Sequence, residues 1–318
     1  MLTILNDHVP YFQQLFIHKL DPYKTESIEF RDCFMHPRII IAALKGGSGK
    51  TILSLGLTAA WREMGLSVAP FKKGPDFIDS GWLFLAAGAP CYNLDPFLMD
   101  ENQILDSFLR HSDHGQIAVI EGNRGLFDGL DIDGCCSTAE VARLLQAPVL
   151  IVLDVTMTTR TMAAIVRGCQ VFDPELNIAG VILNRVAGPR QKNLITEAIW
   201  KYCGIPVVGS VPKLKENPFP ERHMGLVPHQ ESSRAQKAIS WAKKTVSDNL
   251  QLARIREIAN RVPPLDSIRA SVALETYAEN EAWRPRIGFI RDQALWFYYP
   301  ENLSELEKLG AVMVELNA

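Results

Sequence analysis

The residues with the clearest chemical potential lie in one glycine-rich stretch, KGGSGKT. It matches the phosphate-binding pattern G-x-x-x-x-G-K-[ST] at its last three positions, although Leu44 stands where the first glycine is expected. In such a loop the backbone N–H groups point at phosphate oxygens, the lysine reaches the β- and γ-phosphates, and the hydroxyl joins a Mg²⁺ shell. The pattern therefore predicts that ATP and Mg²⁺ are bound by Lys45, Gly46, Gly47, Ser48, Gly49, Lys50 and Thr51.

Two aspartates follow in a second polar stretch, FKKGPDFIDSG. Asp76 and Asp79 are three residues apart behind a Gly-Pro turn, so both carboxylates can face one way. Lys72, at the end of the preceding apolar run, can meet a phosphate. In doubly wound sheets ligands bind at the carboxyl edge, where this stretch is expected. A second interpretation stays open, because aspartates behind such a turn also serve as helix caps.

A third stretch, IAVIEGNRGLFDG, carries further acidic residues. Glu121 ends an apolar run, at the place where a P-loop protein has its second metal-site carboxylate. Gly122, Gly125 and Gly129 allow the following loop to approach a substrate closely. Asp128 lies at the end of that loop. These positions predict a site for a nucleotide, a metal ion and a second substrate.

The elements that must position these residues alternate along the chain. Apolar runs predict six strands, separated by helical stretches, at residues 38–43, 66–72, 117–121, 148–155, 178–186 and 205–212. Runs so uniformly apolar are buried on both faces, as in a parallel sheet covered by helices. We therefore expect an α/β fold, a doubly wound and mostly parallel sheet of the P-loop NTPase type. One helix is expected to begin at Ser137, with Glu140 completing a capping box.

Composition places the chain among globular proteins. Of its 318 residues 47% are hydrophobic and 22% are charged, and the net charge is -3. No basic stripe in the sequence indicates nucleic acid, and no apolar run reaches the roughly 20 residues of a membrane helix. The six cysteines lack C-x-x-C spacing, so we expect free thiols. No signal peptide is visible, and we expect a cytoplasmic protein.

Seven motifs carry a resemblance to a known family. Their order, and approximately their spacing, is that of the cobyrinic acid a,c-diamide synthases, which are corrinoid-pathway amidases related to dethiobiotin synthetase. The motifs are KGGSGKT, FKKGPDFID, NLDPF, EGNRGLFDG, STAEVARLLQAPVLIVLDV, GVILNRV and PERHMGLVP. The resemblance covers about residues 38–318, and the combination is specific although each motif alone is not. It implies a dethiobiotin-synthetase-like fold.

The resemblance implies an ATP-dependent carbon–nitrogen ligase. Members of the family use ATP to turn a corrin carboxylate into an acyl phosphate, which ammonia attacks to form an amide, at the a and c side chains in turn. On this chain Thr51, Asp76 and Glu121 resemble the group that holds Mg²⁺ and phosphate. Asp79 and Asp128 resemble acidic residues near the reacting carboxylate and ammonia. The catalytic set that follows is Lys50, Asp76, Asp79 and Asp128.

Other positions are assigned by the same resemblance. Asn184 resembles an adenine-reading residue, and Arg222 and His223 lie in the family signature PERHMGL. Two positions depart from the usual pattern. Many members carry a small residue where Lys45 stands, and the positions of Asn123 and Arg124 are usually more apolar; we hypothesise that the Arg124 side chain meets a carboxylate of the substrate.

The motifs also divide the chain. We expect an N-terminal extension at residues 1–37, an ATP-binding amidoligase domain at 38–260, a linker at 261–285, and the start of a glutamine amidotransferase-like domain at 286–318. In the family a cysteine of that second domain releases ammonia from glutamine. The last cysteine here is Cys203, before the linker, so we expect no glutaminase activity in this chain and a supply of free ammonia or a separate glutaminase chain.

Alternatives remain open at this point. Nickel-sirohydrochlorin is a rival tetrapyrrole substrate for the same motifs. A switch ATPase of the plasmid-partition or septum type is a rival from another class, although it would leave Asp76, Asp79 and Asp128 without a role. Lys45 is either a solvated surface residue or a lysine that crosses to a partner's nucleotide in a homodimer.

Overall fold

The main feature of the computed structural model is a parallel sheet. The structure describes residues 35–112, 115–214, 218–219, 221–222, 225–226, 234–265, 284–292, 295 and 297–316. The sheet strands are β1 Arg38–Ala43, β2 Val68–Lys73, β3 Tyr92–Leu94, β4 Ile117–Glu121, β5 Val149–Asp154, β6 Ile178–Val186 and β7 Val207–Pro212. Their spatial order is β3-β2-β4-β1-β5-β6-β7, and every neighbouring pair is parallel.

Helices cover both faces of this sheet. They are α1 Lys50–Glu63, α2 Phe77–Ala87, α3 Glu101–Ser112, α4 Thr138–Leu144, α5 Thr161–Phe172, α6 Pro189–Cys203, α7 Ala235–Asn249 and α8 Leu252–Asn260. One face packs against α1, α7 and α8, with α2 extending the apolar cluster around α1 and α7. The other face packs against α3, α4, α5 and α6. This is the doubly wound architecture that the sequence predicts.

The alternation of side chains in β1 shows why the strand is apolar at every position after Arg38. Ile39 and Ile41 belong to the cluster on the α1 side, whereas Ile40 and Ala42 belong to the cluster on the α4 side. All six residues of the strand are buried. Because successive side chains of a strand point to opposite faces, a strand covered on both sides needs apolar residues at every position.

Not every element was predicted. All six predicted strands are confirmed in the sheet, but the edge strand β3 was missed because three residues give no readable period. Ser137 caps α4 as expected, its Oγ accepting from the N–H of Glu140 at 3.2 Å. The Glu140 carboxylate accepts from the N–H of Cys136 at 2.5 Å, one residue before the partner that a capping box would use.

The C-terminal part adds smaller units. Glu221–Arg222 (β8) and Gly225–Leu226 (β9) pair antiparallel within the PERHMGL signature, while His223 and the side chain of Arg222 lie outside the described residues. Residues 286–316 form a strand–helix–strand unit, β10 Arg286–Ile290, α9 Pro300–Lys308 and β11 Val312–Leu316, with the two strands parallel. Residues 1–34 of the predicted extension and 266–283 of the predicted linker lie outside the described residues.

Contacts with β3 and α2 attach the segment around α9 to the main sheet. The N–H of Asn93 in β3 donates to Glu301 Oε1 at 2.8 Å. The rings of Phe77 and Tyr299 lie 4.5 Å apart between centroids. Phe77 is the first residue of α2, directly after Asp76. The segment around α9 therefore packs against residues 74–79, which carry Asp76 and Asp79 and are called the acidic turn below.

A buried arginine ties the start of the sheet to the chain that follows α8. Arg38 has no exposed surface, and its guanidinium donates to the carbonyl oxygens of Leu145 at 2.5 Å, His36 at 2.9 Å and Pro263 at 2.9 Å. Burial lowers the pKa of Arg38 to about 10. Within the described ranges, no helix combines the length and hydrophobicity needed to cross a membrane.

Candidate functional site

The glycine loop joins β1 to α1 at the carboxyl edge of the sheet. Gly47 and Gly49 have φ angles of 69° and 93°, a left-handed conformation that favours glycine. A Cβ at Gly49 would also lie 2.4 Å from the amide nitrogen of Asn184. Among the described residues, none accepts a hydrogen bond from the backbone N–H groups of residues 46–49. The loop therefore offers free donors in front of a helix N-terminus, as a phosphate requires.

A hydroxyl and two carboxylates meet beside this loop. Thr51 Oγ1, in the first turn of α1, donates to Glu121 Oε1 at 2.6 Å and lies 3.4 Å from Asp79 Oδ2. Glu121 ends β4 and has no exposed surface. Its burial raises its pKa to about 7, despite the nearby Lys72 ammonium. Parallel strand ends and the N-termini of α1 and α2 thus bring together residues 28 to 70 positions apart.

Lys72 lies within this group of carboxylates. Its ammonium is 3.0 Å from Asp79 Oδ2, 3.4 Å from Glu121 Oε1 and 3.9 Å from Asp76 Oδ2, and it donates to the carbonyl oxygen of Gly122 at 3.2 Å. Burial alone would lower the pKa of Lys72, but the three carboxylates outweigh it and raise the pKa above its ordinary value. The side chain is therefore a fully charged, buried counter-ion.

Asp76 has a visible structural role at the start of α2. Its Oδ1 accepts from the N–H of Asp79 at 3.0 Å, which makes it the N-cap of the helix. Burial and the neighbouring Asp79 raise the pKa of Asp76. The predicted metal-site role of Asp76 and the helix-cap interpretation are therefore compatible: one oxygen caps, and the other faces Lys72. Asp79, predicted to lie near the substrate, is the aspartate that contacts Thr51.

The Asn93 side chain forms hydrogen bonds with the acidic turn. Its side-chain nitrogen donates to the carbonyl oxygen of Gly74 at 2.7 Å, with a longer contact of 3.4 Å to that of Asp76. Its side-chain oxygen accepts from Ser80 Oγ at 3.0 Å, and the same hydroxyl bonds to the Asp76 carbonyl at 2.7 Å. Because Asn93 is buried, these bonds define where the turn can lie.

The glycine-rich loop after β4 covers the P-loop lysine. Lys50 Nζ donates to the carbonyl oxygen of Arg124 at 2.7 Å, and burial lowers the pKa of Lys50. Arg124 is exposed and has a φ angle of 48°. Asp128 is also exposed, and its Oδ2 accepts from the N–H of Gly125 at 2.9 Å. The predicted residues Lys50 and Asp128 thus flank one loop, while the Arg124 side chain is open to solvent.

The carboxyl ends of β5 and β6 hold the other side of the glycine loop. Asn184 Nδ2 donates to the carbonyl oxygen of Ser48 at 2.8 Å. Arg185 donates to the carbonyl oxygen of Gly47 at 3.1 Å and pairs with Asp154 at 2.6 Å. Asn184 therefore braces the loop in this structure, and its reading of adenine stays a prediction. Lys45 is exposed, and its carbonyl accepts from Ser48 Oγ at 3.0 Å.

The oxygen atoms around Thr51 fit a magnesium ion. In the described residues no group of three or more His, Cys, Asp or Glu side chains forms a closed cage or any other arrangement that could hold a metal ion without further ligands. Mg²⁺ commonly uses one or two carboxylates together with waters and substrate phosphates, so a closed cage is not needed. Glu121 Oε2 is buried and has no hydrogen-bond partner within the described part. A hydroxyl and two carboxylates, one of which carries this free oxygen, form the donor set that a hard cation prefers.

Comparison with known proteins agrees with this geometry. A family model described as "CobQ/CobB/MinD/ParA nucleotide binding domain" matches residues 39–227. The chain belongs to this nucleotide-binding family. The matched range contains the glycine loop, the acidic turn, Glu121 and Asn184, which are the parts of the site that the preceding contacts join.

Individual relatives of this chain carry names that are more specific than the description of the family. A cobyrinate a,c-diamide synthase of Magnetococcus marinus is 43% identical over 279 residues, covering 87% of this chain and 60% of that protein. The protein of the same name from Archaeoglobus fulgidus is 40% identical over 279 residues, with the same coverage of 87% and 60%. The chain thus spans about 60% of the length of these curated relatives. Among solved structures, the MinD cell division protein of Aquifex aeolicus has a TM-score of 0.42 at 17% identity, covering 70% of this chain and 95% of that chain.

Sequence reasoning missed several residues of this nucleotide-binding site. Asn93 stands in the motif NLDPF, but only its buried contacts show that it supports the acidic turn. Arg185 and Asp154 lie at strand ends, and an Asp at a strand end was an available signal. Lys73 lies in the motif FKKGPDFID, which assigns it no role of its own.

Proposed function

We propose that this chain carries the ATP-dependent ligase part of a cobyrinate a,c-diamide synthase. The observation that carries the proposal is the contact of Thr51 with Glu121 and Asp79 in front of an open phosphate loop. Relatives named for this reaction match 87% of the chain at 40–43% identity, which supports the corrin as the acceptor.

In the proposed site, Thr51, Glu121 and Asp79 would hold Mg²⁺, with Asp76 close by. The ion supplies charge neutralisation for the transferring phosphoryl group. Lys50 and the free N–H groups of the glycine loop stabilise the same group as its charge shifts towards the leaving ADP. The Lys72 ammonium lies 3.0 Å from Asp79 and 3.4 Å from Glu121, where its positive charge lowers the cost of burying negative charge on the site.

The reaction then has two balanced steps. A substrate carboxylate oxygen attacks the γ-phosphorus of ATP, the bond to ADP breaks, and an acyl phosphate forms. Ammonia attacks the acyl carbon, phosphate leaves with the former carboxylate oxygen, and nitrogen loses a proton to give the amide. Asp128, exposed beside Gly125 in the loop after β4, is suited to accept that proton or to position ammonia.

Supply of nitrogen is a separate part of the proposal. We infer that the segment around α9 belongs to a glutamine amidotransferase-like domain and that glutamine or free ammonia is the donor. Its Tyr299 and Glu301 contact Phe77 and Asn93, the residues next to the acidic turn. Homodimerisation through Lys45 and a cytoplasmic location are likewise proposals, supported by the exposed position of that lysine and by the biosynthetic names of the relatives.

The test supplies purified chain with ATP, Mg²⁺, ammonium chloride and cobyrinic acid. We expect ADP release that depends on the corrin, together with products whose mass shows one and then two hydroxyl-to-amino replacements. Nickel-sirohydrochlorin in place of cobyrinic acid tests the rival substrate, and glutamine in place of ammonium tests the nitrogen source.

Two results would contradict the proposal. ADP that appears equally fast without any carboxylate acceptor would favour a switch ATPase. Wild-type turnover that survives Thr51→Val and Glu121→Gln unchanged would show that the contacts around Thr51 do not carry the chemistry. Lys192→Met, at an exposed position of α6, serves as the control variant.

A further inference from the structure

Lys73 is a buried cation that the proposed reaction does not use. It is the last residue of β2 and has 8% of its surface exposed. No carboxylate oxygen of the described residues lies within 4 Å of its ammonium, and no hydrogen-bond acceptor is recorded for it in those ranges. The three N–H donors of a lysine are costly to bury without acceptors. This side chain therefore lacks a hydrogen-bond acceptor within the described residues.

The nearest acidic groups do not form an ion pair with Lys73. Asp95, Cys136 and Glu140 are close enough to raise the pKa of Lys73, but burial outweighs them and lowers it. Glu140 accepts from the N–H of Cys136, and Asp95 Oδ1 accepts from the N–H of Phe97 at 3.1 Å. Asp95 Oδ2 is sealed from solvent and has no partner in the described part. Asp95 is therefore the described residue that could serve as a counter-ion of Lys73 in place of a ligand.

The strand alternation separates Lys73 from the metal centre. Ala69 and Phe71 pack on the α3 side of the sheet, and Val68 packs on the α1 side. Lys72 continues the α1 side, where it meets Asp79 and Glu121. Lys73 continues the α3 side and faces the start of α4, where the glycine-rich loop ends. A group bound by Lys73 is therefore not the group bound between Thr51 and Lys72.

Accessibility agrees with a ligand site. Several buried polar side-chain atoms of the described residues have no hydrogen-bond partner and no contact with solvent, and Lys73 Nζ is not one of them. Because Lys73 Nζ has no partner in the described part either, it borders accessible space. It lies at the carboxyl edge of a doubly wound sheet, where ligands of this architecture bind. An ammonium with free donors at such an edge suits a carboxylate, because charge-assisted hydrogen bonds are short and strong.

We propose that Lys73 binds a carboxylate of the substrate other than the one that becomes amidated. The ligand class is a polycarboxylate macrocycle, so the inference rests on the proposed function. One carboxylate reaches the centre at Thr51, while a second, held by Lys73 on the opposite side of β2, sets which side chain is presented. Lys73 is thus a specificity-determining residue.

The test compares Lys73→Met, Lys73→Arg and the control Lys192→Met in the ammonium-dependent assay. Lys73→Met loses a charge-assisted bond, so its KM for cobyrinic acid should rise on the order of tenfold or more while its KM for ATP stays unchanged. Lys73→Arg keeps the positive charge and should show a smaller rise in the KM for cobyrinic acid. Absorbance titration of cobyrinic acid should show the same loss of affinity without turnover. Lys73 of the wild type should also be protected from acetic anhydride by cobyrinic acid and not by ATP alone.

The outcomes separate this inference from the proposed function. If the wild type amidates cobyrinic acid and Lys73→Met has an unchanged KM, Lys73 has no such role and the function stands. If the wild type neither binds nor amidates cobyrinic acid, the proposed function fails and this inference with it. A Lys73→Met protein that is only less stable, and whose stability Asp95→Asn restores, would make Lys73 a counter-ion of Asp95 and overturn the inference.

Discussion

Replacing Asn93 by alanine tests whether the acidic turn depends on the edge strand. The change removes the 2.7 Å bond to the Gly74 carbonyl, the 3.4 Å contact with the Asp76 carbonyl and the acceptor for Ser80. Ser80 keeps its bond to Asp76, and Gly74 keeps the N–H of Asp76 at 3.0 Å. Loss of buried bonds on this scale, with partial compensation, costs about 2 kcal/mol.

The same change should affect turnover more than stability. A cost of about 2 kcal/mol lowers Tm by roughly 4–8 °C in a domain of this size. Asp79 Oδ2 lies 3.4 Å from Thr51 and 3.0 Å from Lys72, so a shift of the turn moves it out of both contacts. Misplacement by about 1 Å can cost on the order of 100-fold in rate. We therefore expect kcat to fall by about that factor.

The assay measures Tm by calorimetry and kcat by corrin-dependent ADP release with ammonium as donor. Asn102→Ala, at an exposed position in the first turn of α3, is the matched control and should change neither value. An Asn93→Ala protein with unchanged Tm and kcat within twofold of wild type would refute the reasoning. A lowered Tm with normal kcat would show that Asn93 supports the fold but not the turn.

Three further predictions follow from buried charges. Glu121→Gln should reduce Mg²⁺-dependent ADP release on the order of 100-fold or more, measured at saturating ATP, because it removes a proposed ligand charge beside Thr51. In metal-free buffer, Glu121 should make the free energy of unfolding fall as pH rises from about 5 to 7, since its pKa is about 7 when folded and 4.5 when unfolded. Urea titrations of wild type and Glu121→Gln in EDTA should differ in this slope, and equal slopes would contradict the assignment. Arg38→Met should lower the free energy of unfolding by about 3 kcal/mol, because two buried carbonyls and one part-buried carbonyl lose a charged donor; an unchanged urea midpoint would show that water replaces it.

The sheet could be predicted in large part from the sequence. Residues 38–43 are apolar after Arg38, and each face of β1 is buried against a different cluster, so the run itself indicates a covered parallel strand. β3 could not be found in this way. Its three residues become a strand only because β2 offers an edge to pair with, and a pairing partner is not readable from a short run.

The site was predictable as a set of residues but not as a geometry. The motifs identify Thr51, Asp76, Asp79 and Glu121 as residues of one site. They do not show that Asp79 contacts Thr51 while Asp76 caps α2. That difference depends on the path of the turn, which buried contacts with Asn93 hold in place.

By itself, the sequence determined the phosphate loop, the parallel sheet and the likeness to corrin amidases, because local pattern and residue type carry that information along the chain. Only the tertiary structure decided that Lys72 neutralises the carboxylates while Lys73, the next residue, lacks a partner in the described part. The physical reason is strand alternation. Adjacent side chains point to opposite faces, and the surroundings of each are set by distant elements: α2 and β4 for Lys72, and the start of α4 for Lys73.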